Sequence, residues 1–322
     1  MLPSDRRAVR VHSLLHANLN TADLGAAVAF YGDTFQLAPG MKTTRGPADG
    51  RALGIDGMPV SETWFLYDQR GPRCAPALEV LEWETPPTVG EFPSDPHHLG
   101  LAAVGYAVPD LDATRRRLSD SGYAPVLFDS WSVGGRDRRA LRVVGPDGVP
   151  VELVAGACVD DAPQFSHIRL NCSHLQSSID WYARLGFRPL ATPRRVELDA
   201  TGLGLGEVSL LVVALTIPDD PSVTLELTWW ERPFFVGGTP VVANHRGLYR
   251  LALGVDDVIA DREELVRSWP EIPQPQFVEL PGTKIGGVTV LFLRDPDGVV
   301  IELVGRPRSA MTGRDHSRSA II

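Results

Sequence analysis

The sequence predicts an α+β protein built from four βαβββ modules, paired into two tandem domains. Three observations predict it. Two long stretches of the chain repeat one another, each repeat divides again into two, and every quarter closes on a strand of the form apolar-Glu-apolar.

The first repeat lays Val11–Phe35 over Ala162–Phe187. His16 falls on His167, Leu19-Asn20 on Leu170-Asn171, and Phe30-Tyr31 on Trp181-Tyr182. In both copies an apolar strand pattern passes into an amphipathic helical one. Asp23 and Cys172-Ser173 stand where each helix begins, and Asp or Ser there accepts orphan N–H groups. Further on, LEVLEWETP (Leu78–Pro86) matches LELTWWERP (Leu225–Pro233), and HLGLAAVGYAVPDLDA (His98–Ala113) matches HRGLYRLALGVDDVIA (His245–Ala260). ALRVVGPDGVPVELV (Ala140–Val154) matches VLFLRDPDGVVIELV (Val290–Val304). The shared PDG is a turn signal, its Gly supplying positive φ. Quarters begin at Val11, near Leu99, near Phe165 and near Leu248. GACVDDAP breaks the strand pattern and marks a boundary at 157–162. The expected division is therefore a first paired domain over 10–157, a second over 162–307, and a loose tail over 308–322.

With 322 residues, 43% hydrophobic and 22% charged, the chain can fill two ordinary cores. Its net charge is 31 − 40 = −9. It has no Lys/Arg cluster to neutralise phosphates, which argues against nucleic acid as a partner. Cys74, Cys158 and Cys172 form no CxxC pair and no even framework, which fits a reducing cytoplasm. The start, MLPSDRRAVR, lacks the apolar core of a signal peptide, and no apolar run reaches membrane-spanning length. A small-molecule substrate and a monomer or homodimer are expected.

Glu79, Glu152, Glu226 and Glu302 each sit inside an apolar strand. A carboxylate there is costly to bury unless it is paired or bound to a cation. Four at matching places outweigh the ordinary reading of a Glu at a water-facing edge. His16 and His167 are mid-strand at equal places. A lone strand histidine is usually a hydrogen-bonded core residue, but duplication beside paired glutamates favours a ligand. His98 and His245 match each other too, yet an odd offset puts them on the opposite face, as loop or surface residues. Trp64, Tyr67, Trp83, Trp229 and Trp230 read mainly as packing.

The modules H-x-x-L-N-x-x-D-L…F-Y, G-L…V-x-D-L-D-A and P-D-G-x-x-x-E-L-V resemble the vicinal oxygen chelate superfamily, over about Val11 to Val304. It includes glyoxalase I, extradiol dioxygenases and bleomycin-binding proteins. The resemblance implies glyoxalase-like half-barrels in which two modules each give a first-strand ligand and a last-strand Glu. Carried over, the first half offers His16, Glu79 and Glu152 with Ala103 at the vacant place. The second offers His167, Glu226 and Glu302 with Arg250 there. A His-Glu-Glu set suits Zn, Mn, Fe, Co or Ni. Arg250 is expected to contact substrate, to pair with Glu226 or Glu302, or to repel the ion, making the first site the better one.

Three functions follow from the resemblance. The first is a divalent-metal-dependent isomerase or epimerase acting through the enediolate of a hydroxy-ketone, with Glu79 and Glu152 as proton-transfer groups. Its substrate would be similar to the cyclitol ketones of 2-epi-5-epi-valiolone epimerases. The second is an Fe(II) ring-cleaving dioxygenase, for which a second histidine is lacking. The third is a binding protein without chemistry.

Overall fold

The computed structural model describes residues 9–311. Module 1 comprises β1 (Ser13–Thr21), α1 (Leu24–Phe35), β2 (Ala38–Lys42), β3 (Gly46–Pro47), β4 (Val60–Tyr67) and β5 (Ala77–Thr85). Module 2 comprises β6 (Gly100–Val108), α2 (Leu111–Asp120), β7 (Val126–Val133), β8 (Arg136–Val144) and β9 (Pro150–Ala155). Module 3 has β10 (Gln164–Asn171), α3 (Leu175–Arg184), β11 (Arg188–Pro189), β12 (Arg194–Asp199), β13 (Glu207–Ile217) and β14 (Asp220–Arg232). Module 4 has β15 (Gly247–Val255), α4 (Val258–Leu265), β16 (Gln276–Glu279), β17 (Gly287–Arg294) and β18 (Val300–Gly305). The expected α+β class and the four quarters are present.

Local signals explain the boundaries. Asp23 caps α1 by accepting from the Ala26 N–H, and Asp110 and Asp257 cap α2 and α4 in the same way. The cap of α3 is His174, not the Cys172-Ser173 pair; its ring accepts from the Ser177 N–H. Gly148 and Gly298 of the two PDG turns have φ of 80° and 87°, as those turns demand.

The strands form two curled half-barrel sheets, ordered β16-β17-β18-β15-β1-β5-β4-β2 and β11-β13-β14-β10-β6-β9-β8-β7. The short strands β3 and β12 add to β4 and β13. β1 pairs antiparallel with β15, and β10 with β6. Module 1 thus shares a sheet with module 4, and module 2 with module 3. This corrects the pairing expected over 10–157 and 162–307, which joined neighbours in sequence. Residues 156–163 lie between β9 and β10, both in the second sheet, so they mark no boundary between sheets. The repeat shows which strands are equivalent, but equivalent strands have equivalent edges, and nothing in the pattern selects the partner.

Modules adjacent in sequence meet instead through the main core. One buried cluster takes in all four helices and one face of both sheets, including Leu19, Phe30, Tyr106, Leu153, Tyr182 and Leu253. Asp68 accepts from the Phe165 N–H, and Asp220 from the Leu14 N–H, so modules 1 and 3 clasp each other's first strands. Of the expected tail, Arg308–Met311 forms a short 3-10 helix with Met311 buried; residues 312–322 lie outside the described residues.

Candidate active site

Each half-barrel brings charged residues together on its inner face. Strand register slips just before His16 and just before His167. Such a bulge re-aims the side chain that follows it, and both imidazoles turn toward the glutamates.

The first cleft lies between modules 1 and 4. His16 Nε2 is 3.2 Å from Glu79 Oε2 and 3.5 Å from Glu302 Oε2. Arg250 lies against the same carboxylates. Its Nη2 donates to both oxygens of Glu79 at 2.8 Å, and its Nε to Glu302 Oε2 at 2.9 Å. The His16 ring meets Phe65 edge-on, 5.4 Å between centroids. Burial alone would raise the Glu302 carboxyl, but Arg250 and His16 outweigh it and hold it at about 2.

Several polar atoms here are buried without a hydrogen-bond partner: His16 Nε2, both amide atoms of Asn18, and Arg250 Nη1. The His16 side chain is 12% exposed and that of Arg250 7%, so the cluster is not sealed. A cavity of about 1010 Å³ lies beside it, walled by Tyr249, Phe292 and Val300 and bordered by Asn244, Trp181 and Trp269. Val300 is the strand partner of Arg250, and Phe292 that of Glu302. Trp83 is buried with its indole N–H on Asn20, and Trp230 likewise on Asn171, the packing role expected of both.

The second cleft lies between modules 2 and 3 and is closed. His167 is 0% and Glu152 1% exposed. Glu152 accepts from His167 Nε2 at 3.1 Å, from the Trp131 indole at 3.0 Å, and from Arg169 Nε at 2.8 Å. Arg169 also reaches Thr228 and the Ser132 carbonyl. Burial would raise the Glu152 carboxyl, yet Arg169 and His167 hold it well below the usual range. Glu226 turns aside, accepting from the Gly134 N–H and the Thr224 hydroxyl. Two apolar clusters, one with Phe128 and Val133 and one with Val196 and Leu210, are buried in the same sheet.

The structure therefore regroups the expected site residues. His16 and Glu79 stand with Glu302 and Arg250, while His167 stands with Glu152 and Arg169. The sets His16–Glu79–Glu152 and His167–Glu226–Glu302 do not form, because module 1 pairs with module 4. Arg250 pairs with Glu302, as one branch of the expectation held, but its second partner is Glu79. His98 and His245 sit on loops, each with Nδ1 at 3.0 Å from the following residue's carbonyl. Sequence reasoning missed Asn18 and Arg169. The available signal was a polar residue two places after each strand histidine, on the same face.

Comparison with known proteins places this geometry. Residues 164–303 match the model of the Glyoxalase/Bleomycin resistance protein/Dioxygenase superfamily. That stretch, under half of the chain, is similar to domains of the glyoxalase/bleomycin resistance protein/dioxygenase superfamily. Glyoxalase I from Zea mays superposes with a TM-score of 0.63 at 19% identity, covering 93% of each chain. A putative dioxygenase from Bacillus subtilis superposes with a TM-score of 0.63 at 12% identity, covering 96% of this chain and 92% of that one. At these identities the likeness is one of fold. No curated protein matches the sequence. Among the described residues no helix is long and apolar enough to cross a membrane.

The divalent metal implied for this glyoxalase-type fold does not fit either cleft as it stands. Among the described residues no three His, Cys, Asp or Glu side chains are disposed to hold an ion. In the first cleft Arg250 engages the carboxylate oxygens a metal would need. In the second, Arg169 engages Glu152, and Glu226 points elsewhere.

Proposed function

We propose that the first cleft binds a small, oxygen-rich ligand and moves a proton at a carbon beside a carbonyl. This is the chemistry of an isomerase or epimerase acting on a hydroxy-ketone, with sugar-derived cyclitol ketones as the substrate class. One observation carries the reading. Polar atoms of His16, Asn18 and Arg250 are buried together without partners beside two carboxylates. Buried polar groups left unpaired cost free energy, and a ligand with two neighbouring oxygens would satisfy these.

Roles follow from the free atoms. Arg250 Nη1 and the Asn18 amide donate to the carbonyl oxygen and its neighbouring hydroxyl. Negative charge developing on those oxygens as the C–H ionises is stabilised by the fixed guanidinium. His16 Nε2, set 3.2 Å from Glu79 Oε2 and 3.5 Å from Glu302 Oε2, takes the proton and returns it. Glu79 and Glu302 hold Arg250. Glu152 belongs to the other cleft and has no part in this reading, and Glu79 is engaged at both oxygens. The adjoining cavity supplies room for the rest of the ligand. The setting we assume is cytoplasmic, with a monomer or homodimer.

Incubation with polyhydroxy ketones in heavy water tests this. Deuterium should enter the carbon beside the carbonyl, and His16→Ala should abolish the exchange while His167→Ala, where folded, retains it. Exchange that survives His16→Ala overturns the assignment. Stoichiometric oxygen uptake with an aromatic diol would instead support the dioxygenase, and tight binding without exchange the sequestering protein.

A further inference from the structure

We infer that an arginine takes the place of a metal cation in each cleft, and that Arg250 shuts transition metals out of a latent His16–Glu79–Glu302 site. The inference rests on donor geometry and is independent of the reaction proposed above.

Ligand bonds of about 2.0–2.2 Å separate neighbouring donors round an ion by roughly 3 Å. His16 Nε2 lies 3.2 and 3.5 Å from Glu79 Oε2 and Glu302 Oε2, so each carboxylate stands near the imidazole, although the three form no ready cation site while Arg250 holds the carboxylates. The same two oxygens are the ones Arg250 engages, at 2.8 and 2.9 Å. A guanidinium stays protonated at any working pH. Its single charge offsets half of that on the two carboxylates and repels a divalent ion beside them.

The second cleft reached the same arrangement by another route. Its guanidinium is Arg169, from the first strand of module 3, bound to Glu152 and adjacent to His167. The module 1 equivalent of Arg169 is Asn18, and the module 2 equivalent of Arg250 is Ala103. The two arginines are therefore not copies of one another. Each half-barrel holds its cation at a different strand position, against a glutamate that faces a histidine.

Cobalt(II) binding tests this, read by its visible absorption bands and by metal content after desalting. The wild-type chain should retain no stoichiometric cobalt through His16. Arg250→Ala and Arg250→His should bind one equivalent, roughly a hundredfold or more tighter than wild type, and a second change, His16→Ala, should remove it. Wild-type binding of one equivalent that His16→Ala abolishes would overturn the inference. So would folded Arg250 variants that gain none. Should a variant be unfolded in chelator, added cobalt is expected to restore its thermal transition, and failure to do so would also overturn the inference.

Discussion

Asn18 and Arg169 occupy the same place in the two half-barrels, two residues after the strand histidine and opposite a last-strand glutamate, Glu79 or Glu226. Arg169 is saturated by Glu152, Thr228 and the Ser132 carbonyl, whereas the Asn18 amide has no partner. One position thus separates a closed polar core from an open one.

That contrast predicts opposite mutational costs. Removing one member of a buried ion pair strands its partner's charge, typically at about 3–5 kcal/mol. Arg169→Leu should therefore destabilise the chain on that scale in urea titrations. Asn18→Leu removes an amide that nothing satisfies, so its stability should change by no more than about 1 kcal/mol, in either direction, while ligand affinity falls. Equal losses in the two variants would mean that the Asn18 amide is held by the protein after all.

How much of this was legible beforehand depends on the kind of information. Strand alternation, Asp caps and PDG turns are local, so the four modules and their ends could be read directly. His16, Glu79 and Glu302 were each found from the repeat, because a polar or charged group at matching places inside apolar strands is anomalous, whereas Arg250 was found only as the residue at the vacant ligand place that the family resemblance implies. Their grouping was not legible, since it depends on β1 choosing β15 among edges of nearly the same pattern. Arg169 escaped notice because a strand arginine can reach solvent, and only the closed second sheet denies it that exit.

Acid stability should report Glu302. Its folded value of about 2 lies below the roughly 4.3 of an unfolded Glu. The native state therefore binds this proton less readily than the unfolded one. The stabilisation is complete above about pH 4.5 and is lost as pH falls toward 2, a span worth about 3 kcal/mol. In Glu302→Gln that portion of the acid limb should flatten, with lower stability at neutral pH because Arg250 loses a charged partner. An unchanged slope between pH 5 and 2 would show that Glu302 is not held by Arg250 in solution.

Asp295 should behave in the opposite sense. Burial raises its carboxyl to about 6, although it accepts from the Val299 and Asp297 N–H groups and the Tyr182 hydroxyl. A raised carboxyl stabilises the fold below its unfolded value near 4, and that contribution is lost as pH rises to about 6. Asp295→Asn keeps an acceptor oxygen for the two backbone groups and carries no charge. Its melting temperature at pH 8 should equal or exceed that of wild type, and the decline between pH 4 and 6 should shrink. A clear loss of stability at pH 8 would sink this assignment.

The closest packing in the second cleft gives the last prediction. Gly105 pairs across strands with His167, and a Cβ built there would lie 2.0–2.2 Å from three atoms of the imidazole ring. No real contact is that short, and the ring cannot swing away because Nε2 is fixed on Glu152 and Nδ1 on Ser166. The equivalent of Gly105 in the other sheet is Ala252, opposite His16. There the His16 side chain is 12% exposed and the Ala252 methyl group is accommodated. Gly105→Ala should thus cost about 1–3 kcal/mol by overpacking. His167→Ala should cost about 2–4 kcal/mol through lost packing and hydrogen bonds. The two substitutions act on one contact, so the double variant should be more stable than the sum of the single losses by about 1 kcal/mol or more. Ala252→Gly with His16→Ala provides the control, with no coupling expected. Strict additivity for Gly105 and His167 would show that the ring has room to move, and that the second cleft is less rigid than its hydrogen bonds imply.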